Sequence, residues 1–120
     1  MSTKVVVTGL GATTPLGGDV GSTWEGLLAG RSAGKAMTGE EYAALPSRLA
    51  APAAVDPAEV LSRVEARRLD RFEQFALVAT REAWKDAGLV GVEIPGERLA
   101  VSVASGIGGL TTLLAMYDTM

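Results

Sequence analysis

The residues able to do chemistry in this chain fall into two groups, an arginine cluster and three glycine-bearing turns. Arg63, Arg67, Arg68 and Arg71 lie within nine residues whose only acids are Glu65 and Asp70, a local balance of +2 in a chain of net charge -3. On one continuous helix Arg63 and Arg67 would share a face, as would Arg67 and Arg71. Such a guanidinium patch suits an acidic protein or a phosphate-bearing group. A solvated face kept for solubility is the plainer account of the same residues. Nucleic acid is a poor partner, because the chain is acidic overall, with a sequence pI near 4.9, and offers no aromatic stacking platform.

The glycine turns invite a nucleotide reading, and each falls short of it. Gly9-Leu10-Gly11-Ala12-Thr13-Thr14 has Thr14 where a dinucleotide fingerprint needs its last glycine, and Pro15 interrupts the helix that should follow. Gly30-Arg31-Ser32-Ala33-Gly34-Lys35-Ala36 has one residue too few between its glycines for a phosphate loop, and Ala36 replaces the magnesium-binding hydroxyl. Gly106-Ile107-Gly108-Gly109 precedes an expected helix. There the glycines serve either anion binding by exposed amides or a sharp turn with close backbone packing, and the two readings need the same permissive backbone.

What is absent bounds the chemistry further. The 120 residues contain no cysteine and no histidine, so the chain has no thiol nucleophile, no disulfide framework, and neither the usual general base nor the usual metal ligand. No run approaches the roughly 18 apolar residues of a membrane span, and the N-terminus lacks the basic and apolar regions of a secretory signal. A cytoplasmic location and no membrane partner are therefore expected.

The elements that position these residues are expected to be of α/β type. Lys4-Val5-Val6-Val7-Thr8 and Leu99-Ala100-Val101-Ser102-Val103 read as buried strands of a parallel sheet, each running into a glycine turn, and two such strands alone cannot complete that sheet. A helix is expected from Ser22, capped by Ser22-Thr23-Trp24-Glu25 and ending at Gly30, with Trp24, Leu27 and Leu28 as its buried stripe. Residues 31–55 read as a surface excursion, with one short helix capped near Thr38. Asp56-Pro57-Ala58-Glu59 starts a helix running through about Ala66. The strongest helical pattern runs from about Asp70 to Ala87. Its small-residue face at Ala76, Ala79 and Ala83 lets a neighbour approach closely, its bulk is expected to be buried, and Gly88 forms a left-handed cap. A last helix carries Leu113, Leu114 and Met116. No linker, repeat or low-complexity tract divides residues 1–120.

In order and spacing these motifs resemble the N-terminal part of a beta-ketoacyl-acyl carrier protein synthase of the type II condensing enzymes. The resemblance is carried by Val5-Val6-Val7-Thr8-Gly9-Leu10-Gly11, Pro15-Leu16-Gly17, Trp24-Glu25-Gly26-Leu27-Leu28-Ala29-Gly30-Arg31-Ser32, Arg67-Arg68-Leu69-Asp70-Arg71-Phe72, Asp86-Ala87-Gly88-Leu89 and Ser105-Gly106-Ile107-Gly108-Gly109-Leu110. The Gly-Ile-Gly-Gly turn is closer to synthase II than to synthase I, and residues 33–62 are the least family-like.

This resemblance implies a thiolase-like layered α/β fold, of which 1–120 would form the N-terminal part of the first half, and a homodimer. It implies acyl transfer to a cysteine, decarboxylation of malonyl-acyl carrier protein, and condensation to 3-ketoacyl-acyl carrier protein, with two histidines stabilising the enolate. The cysteine and both histidines would lie beyond Met120, so the 120-residue chain alone should be inactive. The family uses no cofactor, which leaves Gly9 and Gly11 a structural role. Ile107 matches the position that gates the acyl pocket, and Arg67 and Arg68 match the basic patch that docks acyl carrier protein. Val64 stands where many relatives have a further basic residue, which shifts weight toward Arg63 or Arg71. Two related readings remain beside the fatty-acid one, a ketosynthase of aromatic polyketide assembly and a non-condensing partner subunit that sets chain length.

Overall fold

The computed structural model describes residues 2–120 and mixes helices with short strands. In chain order the elements are α1 (Val20–Leu28), β1 (Lys35–Ala36), β2 (Leu49–Ala50), α2 (Pro57–Val60), α3 (Arg63–Arg68), α4 (Arg71–Asp86) and α5 (Leu110–Tyr117). Single 3-10 turns lie at Glu40–Tyr42 and Gly96–Arg98. The chain divides into two compact units: Ala12–Asp56 forms one, and Pro57–Met120 with the residues up to Gly11 forms the other.

In the Ala12–Asp56 unit the Thr14 hydroxyl organises the turn before α1. It accepts from the N–H groups of Leu16 (3.1 Å) and Gly17 (3.2 Å) and shares a hydrogen bond with the Thr23 hydroxyl at 2.9 Å. The cap of α1 differs from the sequence expectation. Asp19 is the N-cap, its carboxylate accepts from Ser22 N–H at 2.7 Å, and Ser22 is the third helical residue. Aspartate is at least as good a cap as serine, so the helix begins two residues before Ser22. At the other end Gly30 takes φ 62°, with Gly30 N–H bonding to Leu27 O and Arg31 N–H to Gly26 O, a Schellman closure. The expected stripe of Trp24, Leu27 and Leu28 is exposed, Trp24 by 59%; the buried residue of α1 is Gly26, where a β-carbon would press on Leu16. Within residues 31–55, which carry no periodic signal, β1 and β2 pair antiparallel, Lys35 opposite Ala50.

In the larger unit α4 is the central post. It runs close to its expected span and ends in a Schellman motif: Gly88 has φ 68°, Gly88 N–H bonds to Lys85 O and Leu89 N–H to Trp84 O, both at 3.0 Å. The Trp84 indole N–H donates to Leu89 O at 2.8 Å and locks the same turn. The alanine face receives backbone, as its composition predicts. A β-carbon on Gly11 would overlap the Ala79 carbonyl, and one on Gly9 would collide with Ala83 and Ala87. The expected helix from Asp56 to Ala66 is broken in two, because Ser62 caps a new helix, accepting from Glu65 N–H while Glu65 reaches back to Ser62 N–H at 3.0 Å. α2 packs on α3 and α4, and Pro57 and Leu61 are buried there.

Two further expectations are corrected. Among the described residues, neither 4–8 nor 99–103 forms a strand, and both are exposed, Val5 by 91% and Val101 by 80%. A parallel strand exists only through ladder bonds to neighbours, and the described residues give these runs no neighbouring strand. For the same reason α4 is half-buried along most of its length, with only Gln74 buried.

The contact at Gly11 sets a measurable cost. Gly11→Ala should destabilise by about 1–3 kcal/mol through overpacking, whereas Gly96→Ala, where a β-carbon meets nothing within 4 Å, should be close to neutral. Thermal melts of the two variants check this, and equal Tm values would refute the close approach.

Candidate functional site

The arginine cluster is built on two helices. α3 ends at Arg68 and α4 begins at Arg71, so the expected common face of Arg67 and Arg71 does not form. Arg71 turns onto its own helix, its guanidinium 4.8 Å from the Phe75 ring centroid and bonded to Gln74 Oε1 at 3.4 Å. Arg63, Arg67 and Arg68 remain exposed on the short helix α3.

α3 is held by contacts that sequence reasoning did not find. Gln74, 7% exposed, donates from its side-chain amide to the carbonyls of Ala66 and Leu69, both at 3.0 Å. The second of these satisfies the C-terminal cap residue and fixes the last turn, where Arg67 and Arg68 sit. Glu65 pairs with Arg81 of α4 at 2.5 Å. That guanidinium, with the Ser62 hydroxyl and N–H, holds the Glu65 carboxyl down to about 2 from its ordinary 4.5. The one acid within α3 is thereby paired with Arg81 of α4, which balances its charge, and hydrogen-bonded to its cap serine. Two sequence signals pointed to this arrangement: the capping-box spacing Ser62-Arg63-Val64-Glu65 and a glutamine, Gln74, beside the apolar residues of α4.

The Ile107 turn is shaped by three local features. Ser105 Oγ accepts from Gly108 N–H at 3.0 Å, Gly108 takes φ 79°, and Ile107 is 74% exposed. The two readings of this turn are decided by Asp70. Its carboxylate accepts a hydrogen bond from the Thr112 hydroxyl and lies so close to Gly109 that a β-carbon there would overlap it. The negative group at the N-terminus of α5 is thus the chain's own, and the glycine serves close packing. The first turn behaves alike: the Leu10 N–H that a phosphate would need donates to the Asp86 carboxylate at 2.9 Å.

No cluster of metal-ligating side chains occurs among the described residues, and no helix there is long and apolar enough to cross a membrane. A family model described as beta-ketoacyl synthase, N-terminal domain, matches residues 2–120. The chain belongs to this family. The beta-ketoacyl synthase segment is 41% identical over 118 residues to the 3-oxoacyl-(acyl-carrier-protein) synthase 2 of Coxiella burnetii, covering 98% of this chain and 28% of that relative. Proteins of the same name match from Staphylococcus aureus, at 41% over 91% of this chain, and from Synechocystis, at 39% over 92%. The chain spans just over a quarter of the length of these relatives. Membership implies the thiolase-like fold, with which the mixture of helix and strand agrees in kind.

The Glu65 pair gives a pH dependence with a definite sign. A carboxyl whose folded pKa is about 2 against an ordinary 4.5 stabilises the fold fully above pH 4.5, and that contribution is lost as the pH falls toward 2. Replacing Arg81 with glutamine should move the Glu65 titration upward, leaving it below 4.5 through the remaining Ser62 bonds. Carboxyl-carbon NMR titration reads it directly, and an unchanged midpoint would sink the assignment of Arg81 as the main cause.

Proposed function

We propose that the chain forms the N-terminal part of a fatty-acid-type 3-oxoacyl-acyl carrier protein synthase. The observation that carries this is the match of nearly the whole chain to relatives of that name. That shared name favours the fatty-acid reading over the polyketide ketosynthase and the non-condensing partner subunit. On this reading the enzyme loads an acyl group onto a cysteine and joins to it the carbanion formed when malonyl-acyl carrier protein loses carbon dioxide. The nucleophile and the two histidines come from the part of the synthase outside these 120 residues, which contain neither residue type. The layered thiolase arrangement, a homodimer and a cytoplasmic setting belong to the same proposal.

Within this segment we assign two roles. Arg67 and Arg68 dock the acidic acyl carrier protein: their exposure, the clamping of α3 by Gln74, and the removal of Glu65 into its pair with Arg81 all support it. Charge complementarity at such a surface speeds encounter and sets orientation. Arg63, on the same helix, extends the patch, whereas Arg71 is spent on Phe75 and Gln74 and adds little. Ile107, on a turn closed by the Ser105–Gly108 bond with Gly108 at positive φ, gates the acyl pocket by side-chain rotation.

The test is the intact mass of the natural gene product before and after incubation with acyl-acyl carrier protein. A mass several times the 12.3 kDa of this chain that gains one acyl group is expected. A product of 12.3 kDa that gains none would overturn the reading. Reversing Arg67 and Arg68 together to glutamate should raise KM for carrier-bound substrate about tenfold or more while changing KM for a carrier-free thioester far less. Steady-state kinetics with both substrates check this, and an unchanged KM would return the cluster to a solvated face.

A further inference from the structure

Asp70 joins the segment that carries the arginines to the turn that carries Ile107. It follows Arg67-Arg68-Leu69 directly, and its backbone is fixed on both sides. Its own N–H donates to the Glu73 carboxylate at 2.8 Å, and the carbonyl just before it, that of Leu69, accepts from Gln74 at 3.0 Å. From this anchored position the Asp70 carboxylate accepts the hydroxyl of Thr112 in the first turn of α5, while the backbone of Gly109 passes against it. Only Ser105–Gly109, closed by the Ser105–Gly108 bond, separates the extended run from this anchor, so the place where Asp70 stands decides where the Ile107 turn stands.

We propose that Asp70 and Thr112 are a positioning pair that fixes the Ile107 turn relative to the Arg67 and Arg68 helix, so that discrimination of acyl length at Ile107 depends on their hydrogen bond. The proposal rests on the reading of Ile107 as the acyl gate. A gate that works by side-chain rotation needs a backbone that stays still. Released from Asp70, the turn with its exposed isoleucine relaxes onto neighbouring apolar surface and narrows the entrance for long chains, while short chains pass. Neither residue belongs to the arginine patch of α3 proposed for docking, so docking is expected to stay intact.

The experiment uses the whole synthase that carries this segment and measures self-acylation from hexanoyl- and palmitoyl-acyl carrier protein. Thr112→Val should lower the palmitoyl-to-hexanoyl rate ratio about three- to tenfold, the scale of one hydrogen bond to a charged acceptor, with KM for the carrier unchanged. Thr112→Ser, which keeps the hydroxyl, should restore the ratio. Asp70→Asn, which keeps an acceptor oxygen but loses the charge, should give a smaller drop and serves as the reading if the valine variant does not fold. A wild-type ratio in both Thr112→Val and Asp70→Asn, or equal loss for both chain lengths, overturns the proposal. Ile107→Phe is run beside them and should itself lower the ratio. If it does not, the gate reading has failed and the positioning pair falls with it, and a wild type that forms no acyl-enzyme overturns the synthase reading before either.

Discussion

The larger unit depends on how closely backbone can approach α4. Gly9 and Gly11 lie against Ala79, Ala83 and Ala87 with no room for a β-carbon, and Asp86 at the end of the same helix takes the Leu10 N–H. A small-residue face is what allows this, since any larger side chain at Ala79 or Ala83 would hold the incoming segment away. The other end of α4 does a different job with the same economy. Gln74 is the only buried residue of the helix, and its amide is satisfied by two carbonyls at the end of α3. A buried amide left unpaired is costly, so the position of α3 is specified by polar geometry and not by apolar burial alone.

The electrostatics follow from that arrangement. Three acids beside the arginines have partners of their own: Glu65 bonds to Arg81 and Ser62, Glu73 to the Asp70 N–H, and Asp70 to Thr112. Exposed ion pairs contribute little stability one at a time, and the consequence here concerns field rather than stability. With Glu65, Glu73 and Asp70 paired, α3 presents exposed Arg63, Arg67 and Arg68. Carboxylates of the chain likewise stand at two of the glycine turns, Asp86 at Leu10 N–H and Asp70 beside Gly109.

The apolar surface is distributed unlike that of a self-contained domain. Val5, Val6, Val7, Val101 and Val103 are exposed, as are Leu113, Leu114 and Met116 of α5. A groove of about 400 Å³ lined by Phe72, Ala76, Leu77 and Val103 adds to this exposed apolar surface. So many exposed large apolar side chains accord with the proposal that the segment works as part of a larger synthase.

Local chemistry made much of this legible in advance. Helix α4 and its glycine cap, the left-handed Gly30, the helix after Gly109 and the alanine face were all written in spacing, capping and side-chain size, which act over a few residues, whereas the structural role of Gly9 and Gly11 came from the family resemblance. The ordered motifs also carried the family. Where local signals competed, sequence reasoning erred: Asp19 outcompeted Ser22 as a cap, and Ser62 cut one expected helix into two. What only the tertiary structure decided are contacts between residues far apart in the chain, such as Asp70 with Thr112, Glu65 with Arg81 and Gln74 with the end of α3, together with the absence of strand pairing at 4–8 and 99–103. A β-branched run states a preference for strand, but the ladder that makes it one belongs to its neighbours, and no single run of residues contains them.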